Sequence, residues 1–136
     1  MTIFSKIIKG EIPAHKVAES HDYLAFLDIM PLKMGHVLVI PKMEESYIFH
    51  LPENVYTGLH LFAQKVALAM EDAIPCKRVG SAVIGLEVPH VHIHLVPLES
   101  FHDINFSREK LKPTFEELAE TATSIRIAFE KRYGTS

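Results

Sequence analysis

Histidine alternates strictly with aliphatic residues over residues 90–96, the sharpest polar and apolar pattern in the chain. Successive side chains of a β-strand point to opposite faces, so residues two apart share a face. The pattern therefore predicts a strand with three imidazoles in a row on one face, roughly 6 to 7 Å apart, and aliphatic side chains on the other. The three histidines are His90, His92 and His94. Pro97 is expected to end this strand.

Two longer segments show the spacing of amphipathic helices. Over residues 52–74, apolar residues recur every three or four positions, which places them on one side of a long helix. They are Val55, Leu59, Phe62, Val66, Met70 and Ala73. A second helix is expected from Thr114, which forms a capping box with Glu117, to about Tyr133, with Gly134 as its stop.

The other apolar runs predict one short helix and four more strands. Residues 4–10 suit one or two helical turns that a glycine ends. The continuous apolar run at 36–40 is typical of a strand buried on both faces. The four strands are expected at residues 16–20, 23–27, 36–40 and 78–84. A turn is expected at 85–89 and loops at 28–35 and 102–112, and the last of these could fold over a site.

The order of these elements predicts an α+β fold, with one domain over residues 1–136. We expect a mostly antiparallel sheet of about five strands, with one long helix and a C-terminal helix. A sheet this small leaves edge strands open, and a protein can protect an open edge by pairing it with a second copy. A homodimer is therefore a hypothesis at this point.

Composition narrows the functional classes. The 136 residues are 48% hydrophobic, which suffices to bury a core without a disulfide or metal. Lys and Arg number 14 against 17 Asp and Glu, and the net charge of -3 disfavours binding to nucleic-acid polymers. The N-terminus lacks a signal-peptide pattern and no apolar run approaches a membrane span, which predicts a cytoplasmic protein without a membrane partner. The single cysteine, Cys76, agrees with a reducing compartment.

A row of three imidazoles supports two kinds of chemistry. Histidine is a common metal ligand, but three collinear rings converge poorly on a tetrahedral zinc ion, so His36 would have to contribute. Alternatively, one neutral imidazole attacks a phosphorus atom, a second donates to its oxygens or to the leaving group, and a third fixes the nucleophile's tautomer. Filling a core with three imidazoles would instead require three sets of hydrogen-bond partners.

The histidine row also matches the H-x-H-x-H-x-x signature of the histidine-triad (HIT) superfamily, in which x is aliphatic. Residues 3–14, 24–29 and 35–41 resemble the nucleoside-phosphoramidase branch, whose members are protein-kinase-C-inhibitor-like. The resemblance covers residues 1–98 and leaves a loop and the C-terminal helix at 99–136 outside it. The chain looks like a divergent bacterial-type member with a HIT-like sheet.

The resemblance implies a homodimer that shares its sheet and binds a purine nucleotide in each subunit. It implies hydrolysis at the α-phosphorus of nucleoside phosphoramidates or related nucleotidyl conjugates, through a covalent nucleotidyl intermediate on His92. His94 would lie beside the phosphate and leaving group, while His90 and His36 would orient and relay protons. Asp28 would take the ribose hydroxyls, and we expect no cofactor and no metal. The base pocket would be lined by Phe4, Ile7, Phe26 and Ile29.

Three departures from the family pattern leave the substrate open. The turn before the triad usually carries a Ser or Thr hydroxyl, whereas here Glu87 is expected beside the nucleotide. Its carboxylate either points away, is protonated, or assists a cationic leaving group. The phosphate-binding Asn of the preceding strand has no counterpart, and Thr2 and Ser5 replace a cysteine pair that binds zinc in many bacterial members, so we expect no structural zinc. Dinucleoside polyphosphate hydrolysis and a weakly catalytic nucleotide-binding or interaction module are alternative functions.

Overall fold

A five-stranded antiparallel sheet forms the centre of the protein, with strand order β1-β2-β3-β5-β4. The structure is a computed structural model that describes residues 1–135. The strands are β1 (Lys16–Glu19), β2 (Tyr23–Leu27), β3 (Val37–Pro41), β4 (Arg78–Ala82) and β5 (Ile93–Leu98). The predicted α+β fold with about five strands is confirmed.

The helices lie where the apolar spacing predicts them. They are α1 (Ile3–Ile8), α2 (Glu53–Ala73) and α3 (Phe115–Tyr133), with short 3-10 turns at Ile48–His50 and Phe101–Ile104. The Thr114 hydroxyl accepts the Glu117 N–H and the Glu117 carboxylate accepts the Thr114 N–H, so the predicted capping box is present. Over residues 1–135, none of the helices has the length and hydropathy that a membrane crossing requires.

The sheet is buried on both faces by different helices. Helices α2 and α3 cover one face and enclose the larger apolar core, which includes the aliphatic residues of the histidine stretch. Helix α1 covers part of the other face. The smaller core on that face contains Phe4, Ile7, Leu24, Phe26, Leu38 and Ile40. Every residue of β3 is buried, as its continuous apolar sequence predicts.

Several strand boundaries differ from the predicted ones, and those of β1 and β3 differ by a single residue. Strand β5 begins at Ile93, opposite Val39, because the Val91 N–H donates to the Glu45 carbonyl (2.7 Å) outside the sheet. Strand β5 also continues through Pro97 to Leu98. Leu95 pairs with Val37, the first residue of β3, so Pro97 lies beyond the region paired with β3 and its missing N–H has no β3 partner to lose. Strand β4 ends at Ala82 rather than at residue 84.

The alternation of faces nevertheless extends beyond the paired part of β5. Val91, Ile93 and Leu95 belong to the core under α2 and α3, whereas the rings of His90 and His92 contact Phe4 on the α1 face. Pleated backbone therefore continues the side-chain pattern of the strand even where no neighbouring strand pairs with it. The prediction that the three histidines share one face is confirmed.

Candidate active site

Four imidazoles come together on the α1 face of the sheet. Three belong to the histidine row, and the fourth, His36, lies directly before β3, after Gly35 at φ +95. The ring centroids of His92 and His94 are 4.9 Å apart, and those of His36 and His94 are 5.2 Å apart. All four side chains are buried, with between 0% and 8% of their surface exposed. The structure thus brings His36 into the row, as the sequence predicts.

Hydrogen bonds fix the tautomers of His36 and His94. The Leu32 N–H donates to Nδ1 of His36 (3.1 Å), so neutral His36 carries its proton on Nε2 and donates it to Nδ1 of His94 (2.9 Å). His94 then carries its own proton on Nε2. Burial lowers the pKa of His36 to about 3 and that of His94 to about 4, with neighbouring positive charge acting in the same direction. Both rings are therefore neutral hydrogen-bond donors near neutral pH.

The tautomer of His92 is fixed in the opposite sense. Its Nδ1–H donates to the carbonyl of His90 (2.7 Å), which leaves a lone pair on Nε2. Among the described residues, no buried side-chain nitrogen or oxygen lacks a hydrogen-bond partner, so the unbonded Nε2 reaches the site surface. The spacing predicts that a neighbouring imidazole forms the hydrogen bond at Nδ1 that fixes the tautomer of this ring. That detail is wrong, because Nδ1–H donates to a backbone carbonyl instead.

His90 is tied into the structure at both ring nitrogens. Its Nε2–H donates to the Pro41 carbonyl (2.9 Å), and its Nδ1 lies 3.1 Å from the Thr2 hydroxyl, which donates to it. Burial lowers the pKa of this ring. Its side chain orients the start of the row, and its carbonyl holds His92.

The N-terminal hydroxyls form a capping network rather than a set of zinc ligands. The Thr2 hydroxyl accepts the Ser5 N–H (3.0 Å), while the Ser5 hydroxyl accepts the Thr2 N–H (2.7 Å). Thiolates and imidazoles are the ligands of structural zinc, and neutral hydroxyls engaged in a helix cap are poor substitutes. These residues do not suit the metal site of the cysteine-bearing family members.

The aromatic residues expected in a base pocket surround the start of the row. The Phe4 ring lies edge-on to His92 (5.1 Å) and to Phe26 (5.4 Å). Phe4, Ile7 and Phe26 are at most 6% exposed, whereas Ile29 is 63% exposed. Val88 also packs against this cluster, which sequence reasoning missed because one valine in a turn carries no periodicity.

Asp28 lies beside His36 at the end of β2. Its Oδ1 accepts the Met30 N–H (2.9 Å), and its Oδ2 lies 3.8 Å from Nε2 of His36. Burial raises the pKa of the Asp28 carboxyl, opposed by the Met30 hydrogen bond and by positive charge nearby. Glu87 is exposed on its turn, and its charge also acts to raise the pKa of Asp28, so the two carboxylates face the same region.

A segment that we call the strap, residues 99–112, closes the other end of the row. The Phe106 ring lies 4.6 Å from the ring of His94 and 6.4 Å from that of His36. The Leu111 N–H donates to the Pro31 carbonyl (2.9 Å) and Arg108 donates to the Leu32 carbonyl (3.3 Å). These hydrogen bonds join the strap to the loop at residues 28–35, which we call the Asp28 loop. The loop expected at 102–112 therefore folds over the end of the histidine row. Its polar composition did not indicate which residues it would contact.

An apolar cavity opens beside His92. It lies between the turn at residues 46–49 and the segment at 83–85, with Val91 at its base. Tyr47 and Phe49 are respectively 49% and 69% exposed at its rim.

Asp28, His36 and His94 offer three potential metal ligands within 4.8 Å of one another. Nδ1 of His36 accepts a backbone N–H, and its Nε2 shares a hydrogen bond with His94. A metal ion would have to replace that hydrogen bond. The donor set is thus compatible with a metal only after the two rings separate.

Comparison with known proteins agrees with this geometry. The HIT domain family matches residues 9–101. Adenosine 5'-monophosphoramidase HNT1 of Saccharomyces cerevisiae is 40% identical over 96 residues, which cover 70% of this chain and 61% of that protein. The match thus spans less than two thirds of the yeast relative.

Solved structures extend the similarity to nearly the whole chain. A Hit-like protein involved in cell-cycle regulation from Bartonella henselae shares 30% identity with a TM-score of 0.81, covering 93% of this chain and 95% of that one. A Zn-bound histidine triad family protein from Mycobacterium smegmatis shares 25% identity with a TM-score of 0.79, covering 96% and 94%. With the family match over most of its length and its imidazole row in place, the chain belongs to the HIT domain family.

Proposed function

We propose that the protein is a purine nucleotide-binding hydrolase that acts at the α-phosphorus of nucleoside phosphoramidates or related nucleotidyl conjugates. The observation that carries this proposal is the pair of opposite tautomers at adjacent positions: a free lone pair on Nε2 of His92 beside an N–H on Nε2 of His94. Family membership and the monophosphoramidase relatives support a nucleotide hydrolase of the histidine-triad type.

The two tautomers suit a double displacement at phosphorus. Nε2 of His92 attacks the phosphorus, and the bond to the leaving group breaks as the leaving nitrogen takes up a proton from solvent and departs as a neutral amine, giving a nucleotidyl-His92 intermediate. The Nε2–H of His94 donates to a phosphoryl oxygen or to the leaving group, where charge develops. Water then attacks the same phosphorus, and neutral His92 leaves with the nucleoside monophosphate as the product. His36 orients His94, and the His90 carbonyl orients His92 through both steps.

The substrate's nucleoside would occupy the space near α1 and the Asp28 loop. Phe4, Ile7 and Phe26 supply apolar surface for a purine, with the exposed Ile29 available to cover it. Asp28 accepts the ribose hydroxyls, since its carboxylate retains an oxygen without a backbone hydrogen bond. Glu87 lies close enough to this region to disfavour additional negative charge.

Incubation with adenosine 5'-phosphoramidate tests the activity. We expect release of AMP and ammonia, quantified by chromatography, because the Nδ1–H bond of His92 to a carbonyl leaves the lone pair of Nε2 directed to the site. Faster turnover of dinucleoside polyphosphates would select the alternative hydrolase. AMP binding in calorimetry without turnover of either substrate would favour the weakly catalytic binding module. Absence of both binding and turnover would refute the proposal.

We also propose that a second copy pairs along β4 to give the homodimer implied by the family resemblance. Strand β1 lies under α3, where Arg126 donates to the Lys16 carbonyl (2.9 Å), but among the described residues no strand pairs with the outer edge of β4. A groove between α2 and β4, lined by both polar and apolar residues, continues that edge. Its small residues include Ala63, Ala67, Val79, Ala82 and Val83. An open strand edge is a template for pairing with another strand.

Val83→Glu is expected to weaken the dimer by at least about 100-fold, because the two-fold symmetry would bury two unpaired carboxylates. Sedimentation equilibrium over a range of concentrations measures this change. Leu61→Glu is the matched control, since Leu61 lies on α2 outside the groove and is 56% exposed. A wild-type protein that stays monomeric throughout, or a Val83→Glu protein that dimerises like wild type, would exclude pairing at β4.

A further inference from the structure

The turn that leads into the histidine row provides little attraction for a phosphate. Residues 85–89 read Gly-Leu-Glu-Val-Pro, so no side chain of the turn is a hydroxyl or amide donor. The His90 N–H that follows donates to the Val88 carbonyl (2.8 Å). Glu87 and Asp28 both bring negative charge to the region. A nucleotide phosphate bound here needs a positive charge from elsewhere in the chain.

Lys110 on the strap lies on the same side of the site as His94. Its ammonium donates to the Phe106 carbonyl (2.9 Å), and the ring of that same Phe106 packs on His94 at 4.6 Å. Lys110 is half-buried. Its charge contributes, after burial and other neighbours, to the lowered pKa values of His36 and His94, and it opposes the raised pKa of Asp28. These three groups border the proposed phosphate position.

The other cations of this region are already engaged. Lys33 and Arg108 each lie 3.7 Å from a carboxylate oxygen of Asp103, which is 9% exposed. Among residues 1–135, Lys110 has no carboxylate within 4.0 Å. An ammonium has three N–H donors, and one neutral carbonyl occupies only one of them. Lys110 therefore retains both charge and donors for an anion.

We propose that Lys110 binds the substrate's phosphate, and that the strap is a working part of the active site rather than a cover for it. The proposal rests on the proposed function and deepens it, since it assigns the anion-binding role to a residue outside the histidine row. Lys110, which follows the histidine row in the sequence, supplies hydrogen-bond donors for the phosphate that the side chains of the turn at 85–89 lack. Recognition would thus depend on the phosphate charge, and the nucleoside would be recognised separately near α1.

Calorimetric titration with AMP and with adenosine tests this assignment. In Lys110→Ala, AMP affinity is expected to fall about 10- to 100-fold, the loss of one charge-assisted hydrogen bond, while adenosine affinity stays at the wild-type value. Lys110→Arg should recover most of the AMP affinity because it keeps the charge. The AMP difference between wild type and Lys110→Ala should shrink as salt is added. Lys112→Ala, an exposed lysine of the same strap, is the matched control and should bind both ligands like wild type.

The outcomes separate the two proposals. Equal AMP affinities in wild type, Lys110→Ala and Lys112→Ala would overturn the role of Lys110 while leaving the hydrolase proposal intact. Parallel losses of AMP and adenosine affinity in Lys110→Ala would also overturn it, because they indicate that Lys110 only supports the strap. A wild-type protein that binds neither ligand would overturn the proposed function itself.

Discussion

Replacing His92 with alanine is expected to lower phosphoramidate hydrolysis by at least about a thousandfold, because a nucleophile that forms the covalent intermediate has no substitute. Both nitrogens of His90 are bonded, and His36 and His94 share the hydrogen bond that joins them. The exposed nitrogen of His94 carries a proton and so is no nucleophile. Of the four imidazoles, only His92 offers a lone pair to the site, at Nε2. Steady-state rates with adenosine phosphoramidate measure the loss.

Mass spectrometry of the intact protein complements these rates. Wild type quenched at high pH during turnover should carry an adenylyl group on His92, and the His92→Ala protein should carry none. His21→Ala is a suitable control, since the His21 side chain is 97% exposed and bonded only to its neighbour Asp22. Full activity in His92→Ala, or an adduct on a different histidine, would exclude the mechanism.

The free energy of unfolding is expected to fall steeply as the pH drops from about 6.5 toward about 4. Burial lowers the pKa of His36 to about 3 and that of His94 to about 4, so the unfolded chain binds protons in this window that the folded protein does not. The stability contributed by these two neutral rings is therefore fully present above the pKa of 6.5 that histidine has in the unfolded chain, and it is lost as the pH falls. Each ring contributes a slope of up to about 1.4 kcal/mol per pH unit.

The environment of His36 explains why protonation opposes folding there. Burial opposes a positive charge on His36, and the ring of His94, Lys110 and the ring of His92 add to this effect. Asp28 is the only carboxylate within 4.0 Å among the described residues. Urea unfolding across this pH range measures the slope. In His36→Phe the free energy of unfolding should depend less steeply on pH, by up to about 1.4 kcal/mol per pH unit, which is the contribution of one proton. His21→Phe should retain the wild-type slope. Identical slopes in wild type and His36→Phe would show that this ring does not control acid stability.

The sequence predicts the fold and the sharing of one face by the histidines because both depend on local periodicity. The Thr114 capping box and the spacing of α2 are local patterns of this kind, and the structure reproduces them. The start of β5 was predicted three residues early, since alternation shows which way side chains point but not which neighbour accepts the Val91 N–H.

The chemistry of the row depends on contacts that no local pattern encodes. The lone pair on His92 follows from the position of one carbonyl, and the proton on His94 follows from the Leu32 N–H through His36. The placement of Phe106 on His94 is a contact between distant parts of the chain. Polar composition could suggest a loop there, but it could not identify the residues of that loop that contact the row.

The strap follows β5 in one contiguous piece and lies on the surface, held to the Asp28 loop by the bonds of Arg108 and Leu111. The four imidazoles, in contrast, belong to the sheet and its immediate ends. Exchange of this segment would alter the surroundings of His94, which the Phe106 ring contacts, while the four imidazoles and the sheet stay the same. Substrate preference could thus change by exchange of residues 99–112, which makes this segment the natural target for engineering new leaving groups.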